Sequence, residues 1–143
     1  MCNGLFVYGG YMDKDLEYMR IAYNEALKAL KLDEVPIGAI IFKDDEIIAI
    51  EEAEKKLDNW HLDDCTLYTT LEPCLMCSGA IIQSRIKRVV YGASEKRWSS
   101  LSNLLKTEIL NHYPEITENI FEKECSMIIS LYFKQKRSKR NVS

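Results

Sequence analysis

The chain has 143 residues, a length that fits a single domain. Apolar residues make up 47% of it and charged residues 29%, a balance typical of globular proteins and not of disordered or membrane-embedded ones. The net charge of −3 excludes a uniformly basic nucleic-acid binder, so any contact with phosphates requires a local basic patch.

Cysteine usage and the absence of a long apolar run indicate where the protein works. The five cysteines are an odd number and no secretory leader precedes them, which favours a reducing compartment over a disulfide framework. No uninterrupted apolar run is long enough to cross a bilayer. We therefore expect a cytoplasmic protein that is not associated with a membrane.

The first part of the chain predicts a helix followed by a β-hairpin. Apolar residues recur at helical spacing from Leu16 to Leu30, with charged residues on the other face. An almost wholly apolar β-type run at 35–42 is followed by a Lys-Asp-Asp turn and a second run at 46–50. A brief helix is predicted at 51–57.

The rest of the chain alternates strands and helices. Its predicted strands are 65–71 and 88–91, and its predicted helices are 74–84, 101–110 and 121–136. Such alternation predicts an α/β fold, namely a three-layer α/β/α sandwich in which helices cover both faces of one mixed sheet.

A cysteine pair lies where the strand at 65–71 leads into the next helix, in the run Pro73-Cys74-Leu75-Met76-Cys77. Two cysteines separated by two residues at a helix start can face one ion, and the partial positive end of the helix favours their thiolates. Cys74 and Cys77 are therefore candidate zinc ligands. A C-x-x-C pair by itself is also compatible with two cysteines that pack in the hydrophobic core or with a redox pair.

The surrounding residues resemble a known family. Residues 67–81, LYTTLEPCLMCSGAI, are similar to the core motif of tRNA-specific adenosine deaminases, in the zinc-dependent cytidine/deoxycytidylate deaminase superfamily. Segments 34–39, 84–93 and 110–125 resemble the same family in the same order. The resemblance implies a cytidine-deaminase-like domain at 13–137, with an N-terminal extension at 1–12 and a basic C-terminal tail at 138–143.

The resemblance also implies an activity, a cofactor and partners. Family members carry out the zinc-dependent hydrolytic deamination of adenosine to inosine at the tRNA wobble position. We therefore expect Zn²⁺ as cofactor, the tRNA anticodon arm as partner, and a homodimer. Pro36 lies in a segment similar to the family's base pocket and is a candidate substrate-binding residue, although a proline near the start of a strand is equally a structural feature.

One half of the family's site is missing from this sequence. The family's His-x-Glu supplies a third zinc ligand and the proton shuttle, and no such triplet occurs here, where the histidines are His61 and His112. Residues 50–57 resemble the helix that follows His-x-Glu, so the join after 46–49 suggests a deletion between similar stretches. A bolder hypothesis makes Asp44 the third ligand and Glu46 the shuttle, because they keep the i, i+2 spacing.

Other residues have structural interpretations beside functional ones. We predict that His61 is a loop residue, that His112 belongs to a turn or helix cap, and that Glu72 supports the turn instead of transferring protons. A basic cluster near the C-terminus is suited to tRNA phosphates or simply to the end of a helix. The cluster consists of Lys134, Lys136, Arg137, Lys139 and Arg140.

Three alternatives to an active tRNA deaminase remain open. The missing triplet fits a catalytically impaired pseudoenzyme or a partner subunit that binds tRNA. The same fold also serves deaminases of free nucleosides or bases such as guanine or cytosine, although the basic cluster and the Asn111-His112 region favour the tRNA branch. The last alternative is a redox or structural cysteine pair.

Overall fold

A computed structural model describes residues 11–44, 46–48, 62–95 and 100–141 of the chain. Helices and strands alternate along most of it, as the sequence predicts. In chain order the elements are α1 (Tyr11–Lys31), β1 (Ala39–Lys43), β2 (Glu46–Ile48), β3 (Cys65–Leu71), α2 (Leu75–Ser84), β4 (Arg88–Ala93), α3 (Leu101–Leu104), β5 (Glu115–Thr117) and α4 (Glu122–Asn141).

The strands form one mixed sheet in the order β2-β1-β3-β4-β5. β1 is antiparallel to β2 and β3, whereas β3, β4 and β5 are parallel to one another. The register pairs Leu71 with Ala93 and Thr69 with Ala39. The ends of β3 and β4 and the start of β1 therefore share one edge of the sheet, which we call the carboxyl edge.

Side chains alternate along the strands, so both faces of the sheet are apolar. On one face Phe42, Tyr68 and Val90 pack with Met19 of α1. On the other face Val89 and Tyr91 form a cluster that includes residues of α2 and α3, Ile81 and Leu101. Helices thus cover both faces, which confirms the predicted three-layer α/β/α sandwich. No helix of the described segments is both long and apolar enough to cross a membrane.

A buried ion pair ties α1 to the sheet. The guanidinium of Arg88 donates to both carboxylate oxygens of Asp15, at 2.8 and 2.6 Å. The Tyr68 hydroxyl donates to Asp15 at 2.8 Å and Arg88 also donates to Thr117 at 2.7 Å. Because the Asp15 carboxylate is nearly inaccessible, these bonds replace its hydration and fix the position of α1 over β3, β4 and β5.

The structure corrects the predicted elements in three places. The helix predicted at 101–110 ends at Leu104, where the Thr107 hydroxyl donates to the Leu104 carbonyl at 2.7 Å. Ile109 is 88% exposed, so the described residues do not cover the apolar side chains that would stabilise a helix extending to 110. Strand β5 forms between the last two predicted helices, where no strand was predicted, and α4 continues past the predicted domain boundary at 137. The helix predicted at 51–57 lies outside the described residues.

Gly38, just before β1, is needed for the close approach of α1. A Cβ atom at this position would lie 1.8 Å from the Ala22 carbonyl oxygen and 2.7 Å from the Ala26 nitrogen, both of which are backbone atoms. We expect Gly38→Ala to lower the free energy of unfolding by about 3 kcal/mol, the upper range for overpacking a core. Urea denaturation followed by circular dichroism measures this.

Gly79→Ala is the matched control. Gly79 lies within α2, and a Cβ there would meet nothing within 4 Å. Alanine in a helix interior is favoured over glycine by about 0.5–1 kcal/mol, so this variant should be slightly more stable than the parent. Equal stability of Gly38→Ala and the parent would contradict the close packing of α1.

Candidate metal centre

The turn from β3 into α2 places the two cysteines at the carboxyl edge. Cys74 is the N-cap residue of α2, with extended backbone angles of φ −67° and ψ 173°. Its carbonyl accepts the Ser78 N–H at 2.8 Å, and the Ser78 hydroxyl donates to the Pro73 carbonyl at 3.2 Å. Pro73 precedes this N-cap residue, and Cys77 lies in the first turn of the helix.

The two thiols are unequal. The backbone N–H and the thiol of Cys77 both donate to the Cys74 sulfur, and they lower the pKa of Cys74 despite some burial. Partial desolvation of its thiol, followed by the hydrogen bond to Cys74, raises the pKa of Cys77, although the residue as a whole is exposed. The two thiols therefore interact at the positive end of a helix, where thiolates are favoured. This donor pair fits two of the four positions around zinc.

Asp44 and Glu46 lie at the opposite edge of the sheet. The register pairs Lys43, next to Asp44, with Cys65 at the start of β3. The cysteines follow the far end of this seven-residue strand, roughly 20 Å away at 3.3 Å per residue. Asp44 has a positive φ of 51°, as expected in a tight hairpin turn. The structure thus does not bring Asp44 or Glu46 to the cysteines as a third ligand or a proton shuttle.

Among the described residues, no histidine supplies the third ligand. The Nε2 atom of His112 lies 2.8 Å from the carbonyl oxygen of Ile86, which follows the C-terminal end of α2. His112 itself lies in irregular backbone, and its contact joins the loop before β5 to the end of α2. His61 lies outside the described residues. Within the described ranges, no group of three or more His, Cys, Asp or Glu side chains is placed to hold a metal ion.

Pro36 lies at the same edge as the cysteines, but its side chain is buried. Gly38 exchanges two hydrogen bonds with Thr70, the N–H of Gly38 donating to the Thr70 hydroxyl at 3.0 Å and the N–H of Thr70 to the Gly38 carbonyl at 2.9 Å. This pairing holds the segment beside the end of β3. The side chains that reach the surface there are those of Val35 and Ile37, which are 41% and 42% exposed.

Sequence reasoning missed the segment that packs behind the cysteine turn. Ser100 forms an isolated antiparallel bridge with Cys74, and the Leu101 N–H donates to the Pro73 carbonyl at 3.2 Å. Glu72 accepts backbone hydrogen bonds from this part of the chain, which confirms its predicted supporting role. The local signal was a serine before a helix, a common capping residue that does not reveal its distant partner.

Comparisons with known proteins agree with this geometry. The model of the MafB19-like deaminase family matches residues 45–125, more than half of the chain. The chain therefore belongs to a deaminase family.

Individual relatives define the family further. A tRNA-specific adenosine deaminase of Bacillus subtilis (strain 168) is 38% identical over 155 residues, covering 92% of this chain and 96% of the relative. The corresponding protein of Buchnera aphidicola subsp. Schizaphis graminum (strain Sg) is 39% identical over 148 residues, covering 87% and 97%. The chain belongs to the tRNA-specific adenosine deaminase family.

Solved structures share the fold. One, from a study of A-to-I editing by tRNA:A34 deaminases at the wobble position, has a TM-score of 0.71 and 31% identity, covering 78% of this chain and 98% of that one. A deaminase/reductase of Thermotoga maritima has a TM-score of 0.68 and 28% identity, covering 91% of this chain and 43% of that one.

The alignment also bears on the missing half-site. The match to the Bacillus protein runs over 155 positions, whereas this chain has 143 residues. The relative therefore contains residues that this chain lacks, as the deletion hypothesis requires.

The cysteines should differ in reactivity. Burial raises the pKa of Cys125 to about 12, and Cys65 is 2% exposed, whereas Cys77 is exposed. At pH 8 we expect iodoacetamide to modify Cys74 and Cys77 in the native protein while Cys65 and Cys125 stay unmodified, as read by peptide mass spectrometry. Added zinc should protect only the first pair. Labelling of Cys125 as fast as Cys77 would contradict this arrangement.

Proposed function

We propose that this chain carries out the zinc-dependent hydrolytic deamination of adenosine to inosine at the wobble position of tRNA. The observation that carries the proposal is the cysteine pair at the start of α2, held at the carboxyl edge of a deaminase fold. Family membership supports the choice of substrate, since the relatives that match most of the chain are named for this activity.

Cys74 and Cys77 would hold the zinc ion, which when bound supplies Lewis-acid activation of water for hydrolysis. The chain's own residues provide the setting for this chemistry. Glu72 holds the turn through backbone hydrogen bonds. Val35 and Ile37 present apolar side chains at the same edge, where a purine base would find contacts. Pro36, whose side chain is buried, would contribute by fixing the backbone of this segment.

The last turns of α4 would bind the tRNA anticodon arm. The exposed cations there are concentrated although the whole protein is acidic, with a pI of about 5.5. Lys136 is partly neutralised, since its ammonium group donates to Asp33 at 2.7 Å. Because cations that bind phosphates release counterions, the affinity for tRNA should fall as the salt concentration rises, in proportion to the number of phosphates contacted. The other cations are Lys134, Arg137, Lys139 and Arg140.

We further propose that the protein works as a cytoplasmic homodimer. Leu75 and Met76, between the two cysteines, are 53% and 81% exposed, an apolar surface at the start of α2 that a second copy would cover. The cysteine pattern suits the reducing cytoplasm, because thiolates must stay reduced to bind metal.

The absence of His-x-Glu favours a second candidate function. Without the glutamate, proton transfer loses a contribution of about 10²–10⁴-fold, and without the histidine the zinc lacks a protein ligand. A chain that binds tRNA as a pseudoenzyme, or as the partner of an intact deaminase, would need neither. This candidate keeps the cysteine pair and the basic end of α4 but not the turnover.

Zinc content and inosine formation separate the two functions. We expect about one zinc per chain by atomic emission, and inosine on tRNA with an adenosine at the wobble position, formed about 10²–10⁴-fold more slowly than by the Bacillus relative. Cys77→Ser should lose both zinc and inosine, because it removes one of the two thiolates. Cys65→Ala, which changes a buried cysteine at the other edge, is the matched control and should keep both.

Two outcomes would change the assignment. Zinc retained by a Cys74→Ser/Cys77→Ser variant would overturn the metal site. Zinc and salt-sensitive tRNA binding with no inosine, even at high enzyme concentration, would replace the first function by the pseudoenzyme. A chimera with the additional residues of the Bacillus relative inserted after Ala49 should then gain inosine formation.

A further inference from the structure

A buried carboxylate lies directly behind the cysteine turn. Glu72 is 3% exposed and separates the end of β3 from Pro73. Its Oε1 atom accepts the backbone N–H of Glu95 at 3.1 Å, and its Oε2 atom accepts the backbone N–H of Ser102 at 2.9 Å. Both carboxylate oxygens are therefore bonded to the chain that follows β4, which we call the docking segment (residues 95 and 100–102).

The docking segment in turn contacts the residues that position the first cysteine. The Leu101 N–H donates to the Pro73 carbonyl at 3.2 Å, and Ser100 pairs with Cys74 in a β-bridge. Ser100 itself is 1% exposed, so the contact excludes water. The docking segment thus connects the Glu72 carboxylate with the backbone of Pro73 and Cys74.

The carboxylate is suited to holding this segment and not to exchanging protons. Each of its two oxygens already accepts a backbone N–H, from Glu95 and from Ser102, so Glu72 is not placed to replace the missing glutamate.

We propose that Glu72 is a positioning residue for the metal, whose carboxylate holds the docking segment against the turn and thereby fixes Cys74 relative to Cys77. This inference rests on the proposed zinc-binding role of the two cysteines. Residues that support metal ligands from behind typically change metal affinity about 10–100-fold when mutated. Glu72 acts on the cysteine turn through its hydrogen bonds to the docking segment.

The test uses Glu72→Gln in the full chain. Glutamine keeps the shape but presents an NH₂ group toward a backbone N–H donor, so one of the two bonds becomes repulsive. We expect the affinity for Co²⁺, used as a probe for zinc, to fall about tenfold or more, with an altered thiolate-to-cobalt absorption band. In the metal-free protein, amide hydrogen exchange at 74–78 and 100–102 should become faster.

Glu118→Gln is the matched control at the same edge. Glu118 accepts one hydrogen bond, from the Tyr91 hydroxyl at 2.8 Å, and is exposed. This variant should keep the parental cobalt affinity, absorption band and exchange rates at the turn. A general loss of stability in Glu72→Gln would not by itself alter the cobalt band, so the spectrum separates positioning from a merely structural role.

The outcomes distinguish this inference from the proposed function. Parental cobalt affinity and absorption in Glu72→Gln would overturn the positioning role. If the parent itself binds no cobalt, the zinc-dependent function fails, while amide exchange in the metal-free protein still decides on Glu72. Unchanged exchange at the turn overturns its role, and faster exchange confined to the turn and the docking segment supports it.

Discussion

The parallel pairing of β3 with β4 determines where the parts of the candidate site meet. Both strands are covered by helices on both faces, so each must leave the sheet at its carboxyl end and return through a helix. The register that pairs Leu71 with Ala93 brings the two exits side by side. The cysteine turn follows one exit and the docking segment follows the other, so the sheet itself brings together the parts of the candidate site.

This constraint explains how the chain keeps an ordered half-site without the other half of the family motif. The cysteine turn is fixed by local helix capping, by Glu72 and by the docking segment, none of which involves the missing His-x-Glu residues. The absence of the triplet from this chain therefore leaves the support of the two thiols intact. The fold and the relatives identify the family, whereas the proposed turnover depends on residues that this chain lacks.

The sequence predicted those features whose causes are local. Strand β3, the start of α2 and the cysteine pair follow from β-branched residues, a proline and a two-residue spacing, all within one short stretch. Strand β5 was not predicted, because three residues at a sheet edge form a strand only through pairing with β4, and the helix that became α3 was predicted too long. The spacing of Asp44 and Glu46 was misleading for a related reason. Two residues can have the spacing of a motif, but the spacing does not specify at which edge of the sheet they lie.

The central claim is that Cys74 and Cys77 provide two thiolates to one zinc ion. X-ray absorption at the zinc edge of the metal-loaded protein counts these ligands directly. The structure predicts two sulfur atoms at about 2.3 Å, with nitrogen or oxygen donors completing the coordination. A spectrum with no zinc–sulfur distance, or with four, would contradict it.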